Sequence, residues 1–274
     1  MPRPVFDECM LDDLVIEDES SLRHVALYAD LKQVLRGAGC RFRVLPTAWR
    51  GRWDRAQFLN LSFWGAGTGG DVLVDRGLPA DVVAHVAWHH LAHRAAPPAP
   101  GAPPTASALF LGEAIASAFD LYLIGRLLGH SPDSSFLETQ VPALADAADA
   151  AGLPATDFEA MLGDIARDPE RAFADLRELL FEATAALFAS RSAEAALGAL
   201  AAFDRHRFAA LLHHYELSNW VLFARAYART SPEGDERVAA IDAAMRRAPV
   251  ALDWLAAEWV APALRGMPRA GGSA

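Results

Sequence analysis

The segment "ALFLGEAIASAFDLYLIGRLLG", residues 108–129, constrains the fold more than any other part of the chain. Apolar residues fill most of it, and Glu113, Asp120 and Arg126 are its only charged residues. These charges interrupt the longest apolar run, so we expect no transmembrane helix. Because a charge inside an otherwise apolar helix is costly, each of the three needs a specific explanation. The segment therefore predicts a largely buried helix that carries functional or paired charges.

The remaining pattern predicts a mostly helical α+β protein. Helical spacing of apolar residues covers 21–39, and "CRFRVLP", "AQFLNLSFW" and "DVLVD" have the character of short strands. After Ser131 the chain is helical, with helices expected at 155–167, 169–189, 192–203, 204–228, 235–247 and 251–264. We expect an N-terminal α/β part (1–130), in which a small sheet packs on a metal-binding helix, and an all-helical C-terminal lobe (131–274), together forming one compact two-lobe unit.

Composition narrows the classes of partner. The 274 residues carry a formal net charge of −10, which disfavours nucleic acid and anionic membranes as partners. The two cysteines, Cys9 and Cys40, form no CxxC motif, and the acidic N-terminus does not resemble a signal peptide. We therefore expect a cytoplasmic protein with reduced thiols that acts on a small-molecule or peptide substrate. The sequence leaves its oligomeric state open.

Histidines are crowded in "DVVAHVAWHHLAHRAAP", residues 81–97, which holds four of the nine in the chain. Pro79 and Asp81 suit a helix start, and the helix should run to about Ala95. His85, His89 and His93 are spaced four apart and share one face. Two histidines at this spacing can converge on one metal ion. The alternative is a polar helix face or a hydrogen-bonded histidine cluster in the core.

The apolar segment offers a third ligand. Glu113 follows His93 by twenty residues, and a buried carboxylate there would be stabilised by a divalent ion. A salt bridge with Arg94 or another arginine is the alternative. Ser117 and Asp120 share the face of Glu113 and could orient a ligand. Asp120 could instead pair with Arg126 or with a C-terminal arginine, and either His85 or His90 could be an extra ligand.

The run His89-His90-Leu91-Ala92-His93, followed by a loop and "LGEAIASAF", resembles the gluzincin branch of the zincin metallopeptidases. That family has an HExxH helix and a carboxylate ligand on a following helix. The resemblance covers 56–128 and implies His89, His93 and Glu113 as metal ligands. The family has its general base, a glutamate, at the position of His90, and a second acid at the position of Ser117.

The resemblance implies a metal-dependent enzyme that acts on a peptide- or amide-like substrate with His90 as an altered base. His213, His214 or Tyr215, from the late segment "LLHHYELSNW", would stabilise an oxyanion. The cofactor would be one divalent metal, zinc, with iron as the alternative, because two histidines and a carboxylate also form the site of non-haem Fe(II) oxygenases. Two further hypotheses are an inactive pseudo-peptidase that serves as a binding module, and a metal-free interaction protein with a pH-sensitive histidine face.

Overall fold

The computed structural model describes residues 6–49, 71–131, 133–229 and 235–266. It confirms the expected fold class, a mostly helical α+β protein with a small set of strands in its N-terminal part. The chain divides into two compact units, Met1–His93 with Ala256–Ala274, and Arg94–Leu255. The functional division expected at residue 130 stays a prediction.

The strands belong to the first unit and form two small sheets. In one sheet, β1 (Asp7–Met10) is antiparallel to β3 (Arg41–Val44), and β3 is parallel to β4 (Asp71–Leu73). In the other, β2 (Val15–Glu17) is parallel to β5 (Gly77–Pro79). The strands predicted in "CRFRVLP" and "DVLVD" are thereby confirmed. The strand predicted in "AQFLNLSFW" lies outside the described residues.

Helix α1 (Ala26–Ala38) lies between β2 and β3 in sequence and has one apolar face. Its buried residues Tyr28, Leu31 and Leu35 recur at helical spacing. The helix ends at Gly39, which adopts a left-handed conformation with φ 64° that glycine accepts without a steric penalty. The N–H of the next residue, Cys40, donates to the carbonyl of Leu35. This turn fixes Cys40 at the start of β3.

The histidine-rich segment forms α2 (Ala80–Ala95), with the start after Pro79 and the end at Ala95 that the sequence predicts. The strand β5, directly before it, was not predicted. Its apolar residues are buried, including Val86, Trp88 and Leu91. The four histidines are each partly exposed as whole residues, but the Nε2 atoms of His89 and His90 are buried. The apolar residues therefore pack the helix into the core, and the imidazoles lie at the edge of the core.

The apolar segment forms α3 (Ala106–Leu127), whose N-cap is Thr105. The hydroxyl of Thr105 accepts a hydrogen bond from the N–H of Ala108, which satisfies one free donor of the first turn. Among the described residues, α3 is the one helix long and apolar enough to suit a membrane span, and 83% of its most apolar window is buried inside the protein. A helix buried to this extent is a core helix.

The later helices are α4 (Ser135–Ala150), α5 (Ala155–Arg167), α6 (Pro169–Ala189), α7 (Ala193–Ala201), α8 (Leu217–Tyr227), α9 (Glu236–Arg247), α10 (Ala251–Leu255) and α11 (Ala261–Arg265). The bounds of α5 and α6 are those predicted. Within the second unit, α3 packs most extensively against α6.

Two predicted helices are interrupted. The helix expected at 204–228 is a 3-10 helix, Ala209–Tyr215, followed by Glu216 with φ 49° and then α8. The helix expected at 251–264 contains a π-helical turn, Ala256–Val260, between α10 and α11. Pro262 has no N–H to donate, and its ring opposes the carbonyl four residues earlier, which accounts for the irregular turn before it.

At Gly125, α3 lies very close to the residues around the junction of α5 and α6. A Cβ atom at this position would lie 2.7 Å from the carbonyl oxygen of Ile165 and 2.8 Å from Cβ of Pro169. We therefore expect Gly125→Ala to lower the free energy of unfolding by about 1–3 kcal/mol, measured by urea denaturation followed by circular dichroism. Gly163→Ala is the matched control, because a Cβ there meets no atom within 4 Å, so it should be neutral or stabilising. Equal effects of the two variants would contradict this packing.

Candidate metal centre

Three of the candidate side chains come together. His85 and His89 on α2, and Glu113 on α3, each offer one ligand atom, and these atoms all lie within 4.8 Å of one another. The imidazole rings of His85 and His89 have centroids 4.9 Å apart, as expected for residues four apart on a helix. The group has the composition and spacing of a site that could hold a metal ion.

Burial gives the group a chemistry suited to a cation. Glu113 is only 7% exposed, and a carboxylate removed from water is stabilised by a nearby positive charge. Burial lowers the pKa of His89 well below its usual value, and the neighbouring His85 lowers it further. His89 is therefore neutral at pH 7, and a neutral imidazole retains the lone pair that a metal ion needs.

The separation of the ligand atoms also fits a single ion after small rotations. With bonds of about 2.1 Å to nitrogen or oxygen, tetrahedral ligand atoms are roughly 3.4 Å apart. The observed limit of 4.8 Å exceeds this by about 1.4 Å, a gap that side-chain torsions can close. The residues present therefore fit a divalent ion bound by two histidines and one carboxylate.

His93, a predicted ligand, is not a member of this group of described residues. It lies one turn beyond His89 and is partly exposed. His85, predicted as an additional or orienting residue, takes part instead. The pair His85 and His89 has the same four-residue spacing as His89 and His93, so spacing alone does not distinguish the two pairs. The role of His93 as a ligand stays a prediction.

The residue that follows the first histidine ligand depends on whether the pair is His85 and His89 or His89 and His93. After His85 this residue is Val86, which is 4% exposed and has no titratable group. The gluzincin resemblance places a glutamate base at the equivalent position. With His85 and His89 as the pair, His90 follows the second ligand and cannot stand in that position. Its role as general base stays a prediction.

His90 has a neighbour that the sequence did not indicate. The Sγ atom of Cys40 lies 3.8 Å from Nδ1 of His90. The two residues are fifty positions apart, and the turn after α1 brings the cysteine to the helix. No spacing rule links a cysteine before a strand with a histidine on a later helix, so only the tertiary structure reveals the contact.

The remaining predicted residues lie in the second unit. Ser117 is buried one turn after Glu113, and Asp120 lies about 10 Å along the helix from Glu113. Asp120 acts electrostatically on both His214 and Tyr215: burial lowers the pKa of His214 and Asp120 opposes this, whereas burial and Asp120 together raise the pKa of Tyr215. The rings of His214 and Tyr215 stand edge to face, with centroids 4.9 Å apart. The structure thus groups Asp120 with the two late residues.

Comparison of the chain with protein-family models, curated proteins and solved structures yields no match. The gluzincin resemblance therefore has no support from relatives. What the structure supports is a potential metal site formed by two histidines and one glutamate.

Proposed function

We propose that the chain is a metal-dependent enzyme in which His85, His89 and Glu113 hold one divalent ion, zinc. The observation that carries the proposal is the convergence of their three ligand atoms within 4.8 Å. Three protein ligands leave coordination positions for water or substrate, which is the pattern of catalytic rather than structural sites. A bound ion would supply Lewis-acid activation of a peptide- or amide-like substrate.

Hydrolysis also requires a group that takes up and returns a proton. His214 is the best candidate in the second unit, because its lowered pKa leaves it neutral at pH 7, with a free lone pair that can take up a proton. Asp120 favours the protonated form of His214, which would stabilise the imidazolium that forms. The raised pKa of Tyr215 keeps its hydroxyl protonated, so it would donate a hydrogen bond to a developing negative charge.

Fe(II)-dependent oxidation is a second candidate function, and Val86 is the observation that favours it. A buried apolar residue follows the first ligand, where a hydrolytic glutamate would be needed. A site of two histidines and one carboxylate with open positions and no dedicated base is typical of non-haem Fe(II) oxygenases. If neither chemistry occurs, the chain would be a pseudo-peptidase that binds peptides.

The metal that co-purifies with the untagged protein tests the proposal. We expect about one zinc ion per chain by elemental analysis, and hydrolysis of a peptide or amide library by the zinc-loaded protein. One iron per chain from anaerobic expression, with consumption of O₂, would select the second candidate. A zinc protein that binds peptides without cleaving them would indicate the pseudo-peptidase. Absence of metal under every expression condition would overturn the proposal.

His214→Phe should reduce hydrolysis by about 100-fold or more and leave the metal content unchanged, because His214 is not among the ligands. His213→Phe is the control, since its side chain is exposed and should not affect the rate. Equal rates in the two variants would remove His214 from the mechanism. Rates are compared as kcat/KM on the same substrate.

A further inference from the structure

Helix α7 is unusual in being apolar and having no fully buried residue. Seven of its nine residues are alanine or leucine, and none of the nine is buried. Leu197, at its centre, is 69% exposed. A surface helix normally hides its apolar residues against the core, and an exposed apolar patch commonly marks an interaction site.

A cavity lies beside this helix. It has a volume of about 410 Å³, and its apolar lining comes from the end of α6, the start of α7 and the middle of α8, namely Leu187, Ala193, Ala196, Val221 and Leu222. Leu222 is itself 62% exposed. Leu197 lies four residues after Ala193, which lines the cavity, so both are on the same face of α7. This face of the second unit therefore carries an exposed leucine beside an apolar recess.

The face also carries charges of both signs. Arg191 and Arg225 line the cavity, and Arg225 is fixed there by hydrogen bonds to the carbonyls of Ser190, at 2.8 Å, and Phe188, at 3.3 Å. Glu194 is exposed on the first turn of α7. Hydrogen bonds from its own backbone N–H and from Ser192 lower the pKa of Glu194, so the carboxylate is ionised at neutral pH.

We propose that this face binds a second copy of the same chain in a two-fold symmetric dimer. Leu197 of each copy enters the cavity of the other, and Glu194 of each copy pairs with Arg191 of the other. A two-fold interface requires that one surface be complementary to itself. This face carries an exposed apolar residue together with an apolar recess, and an acid together with two arginines. Each feature is complementary to another feature of the same face, which favours a second copy over an unrelated partner.

Sedimentation velocity and light scattering test the proposal on the full chain. We expect a particle of twice the 29.5 kDa chain mass, and Leu197→Asp should raise the dissociation constant of the dimer by at least about tenfold. Val15→Asp is the control, because Val15 is 67% exposed but belongs to the first unit, so it should leave the dimer intact. Circular dichroism confirms that each variant is folded.

A charge exchange tests the pairing itself. Glu194→Arg should weaken the dimer, because it places arginine against arginine, and adding Arg191→Glu in the same chain should restore association. A monomer at every concentration up to about 100 µM would overturn the proposal, as would a dimer that Leu197→Asp does not weaken. If adding Arg191→Glu does not restore the dimer, Glu194 of one copy does not pair with Arg191 of the other, and the proposed arrangement is wrong. These outcomes do not depend on the metal centre.

Discussion

Replacing Glu113 with glutamine is expected to lower the affinity for Zn²⁺ by at least about 100-fold. Even a residue that only orients a metal ligand contributes 10- to 100-fold to affinity, and Glu113 is the single anionic ligand of the group. Glutamine keeps the volume of the buried side chain, which is 7% exposed, so the fold should survive. Competition with a chromophoric chelator measures the dissociation constant.

Glu159→Gln provides the matched control for this experiment. Glu159 is an exposed carboxylate on α5, so its replacement removes the same charge from the chain without touching the metal centre. The Glu159→Gln variant should bind Zn²⁺ with the same affinity as the unmodified protein. An unchanged affinity in Glu113→Gln would mean that the glutamate is not a ligand.

Replacing Asp242 with alanine is expected to lower the free energy of unfolding by about 3–5 kcal/mol. Arg177 on α6 is fully buried, and its guanidinium pairs with Asp242 on α9 and with Glu178. Burial lowers the pKa of Arg177, and Asp242 provides the largest opposing effect. Glu178 remains as a second partner at 3.4 Å, but loss of the main partner leaves the buried guanidinium poorly compensated, which accounts for the size of the effect.

A second variant separates loss of charge compensation from loss of packing. The double variant Arg177→Met, Asp242→Ala removes both charges, so it should be more stable than Asp242→Ala alone. Asp164→Ala is the surface control: Asp164 pairs with Arg167, and both side chains are more than half exposed, so its loss should cost under about 1 kcal/mol. Urea denaturation measures all three. A double variant less stable than the single one would contradict the account.

The sequence predicted helix bounds well where local signals are strong. Helix α6 begins at Pro169 after Asp168, whose side chain accepts from the N–H of Arg171, and this cap followed by proline is a recognisable start. The break at Glu216 was missed, because neither glycine nor proline marks it. Glu216 is exposed and its contacts are local: its carbonyl accepts from the N–H of Asn219, and its carboxylate accepts from the Asn219 side chain at 2.6 Å. A left-handed glutamate is uncommon, so no residue preference signals the break.

The candidate site was only partly predictable, because its members come from two different helices. Crowded histidines on a helix and a glutamate in an apolar segment indicated a metal, and the structure brings members of both together. Helical periodicity gives the face on which histidines lie, but not the level at which a second helix presents its glutamate. Periodicity alone therefore does not decide whether His85 or His93 joins His89. The contact of Cys40 with His90 was equally invisible to spacing.

The metal content of His85→Ala and His93→Ala, compared side by side, tests the central claim most directly. Both variants remove one partly exposed imidazole four residues from His89, so they are matched in chemistry and position. If His85, His89 and Glu113 hold the ion, His85→Ala should purify with little zinc, and His93→Ala should retain about one zinc per chain. Loss of zinc in His93→Ala with retention in His85→Ala would contradict the proposed centre.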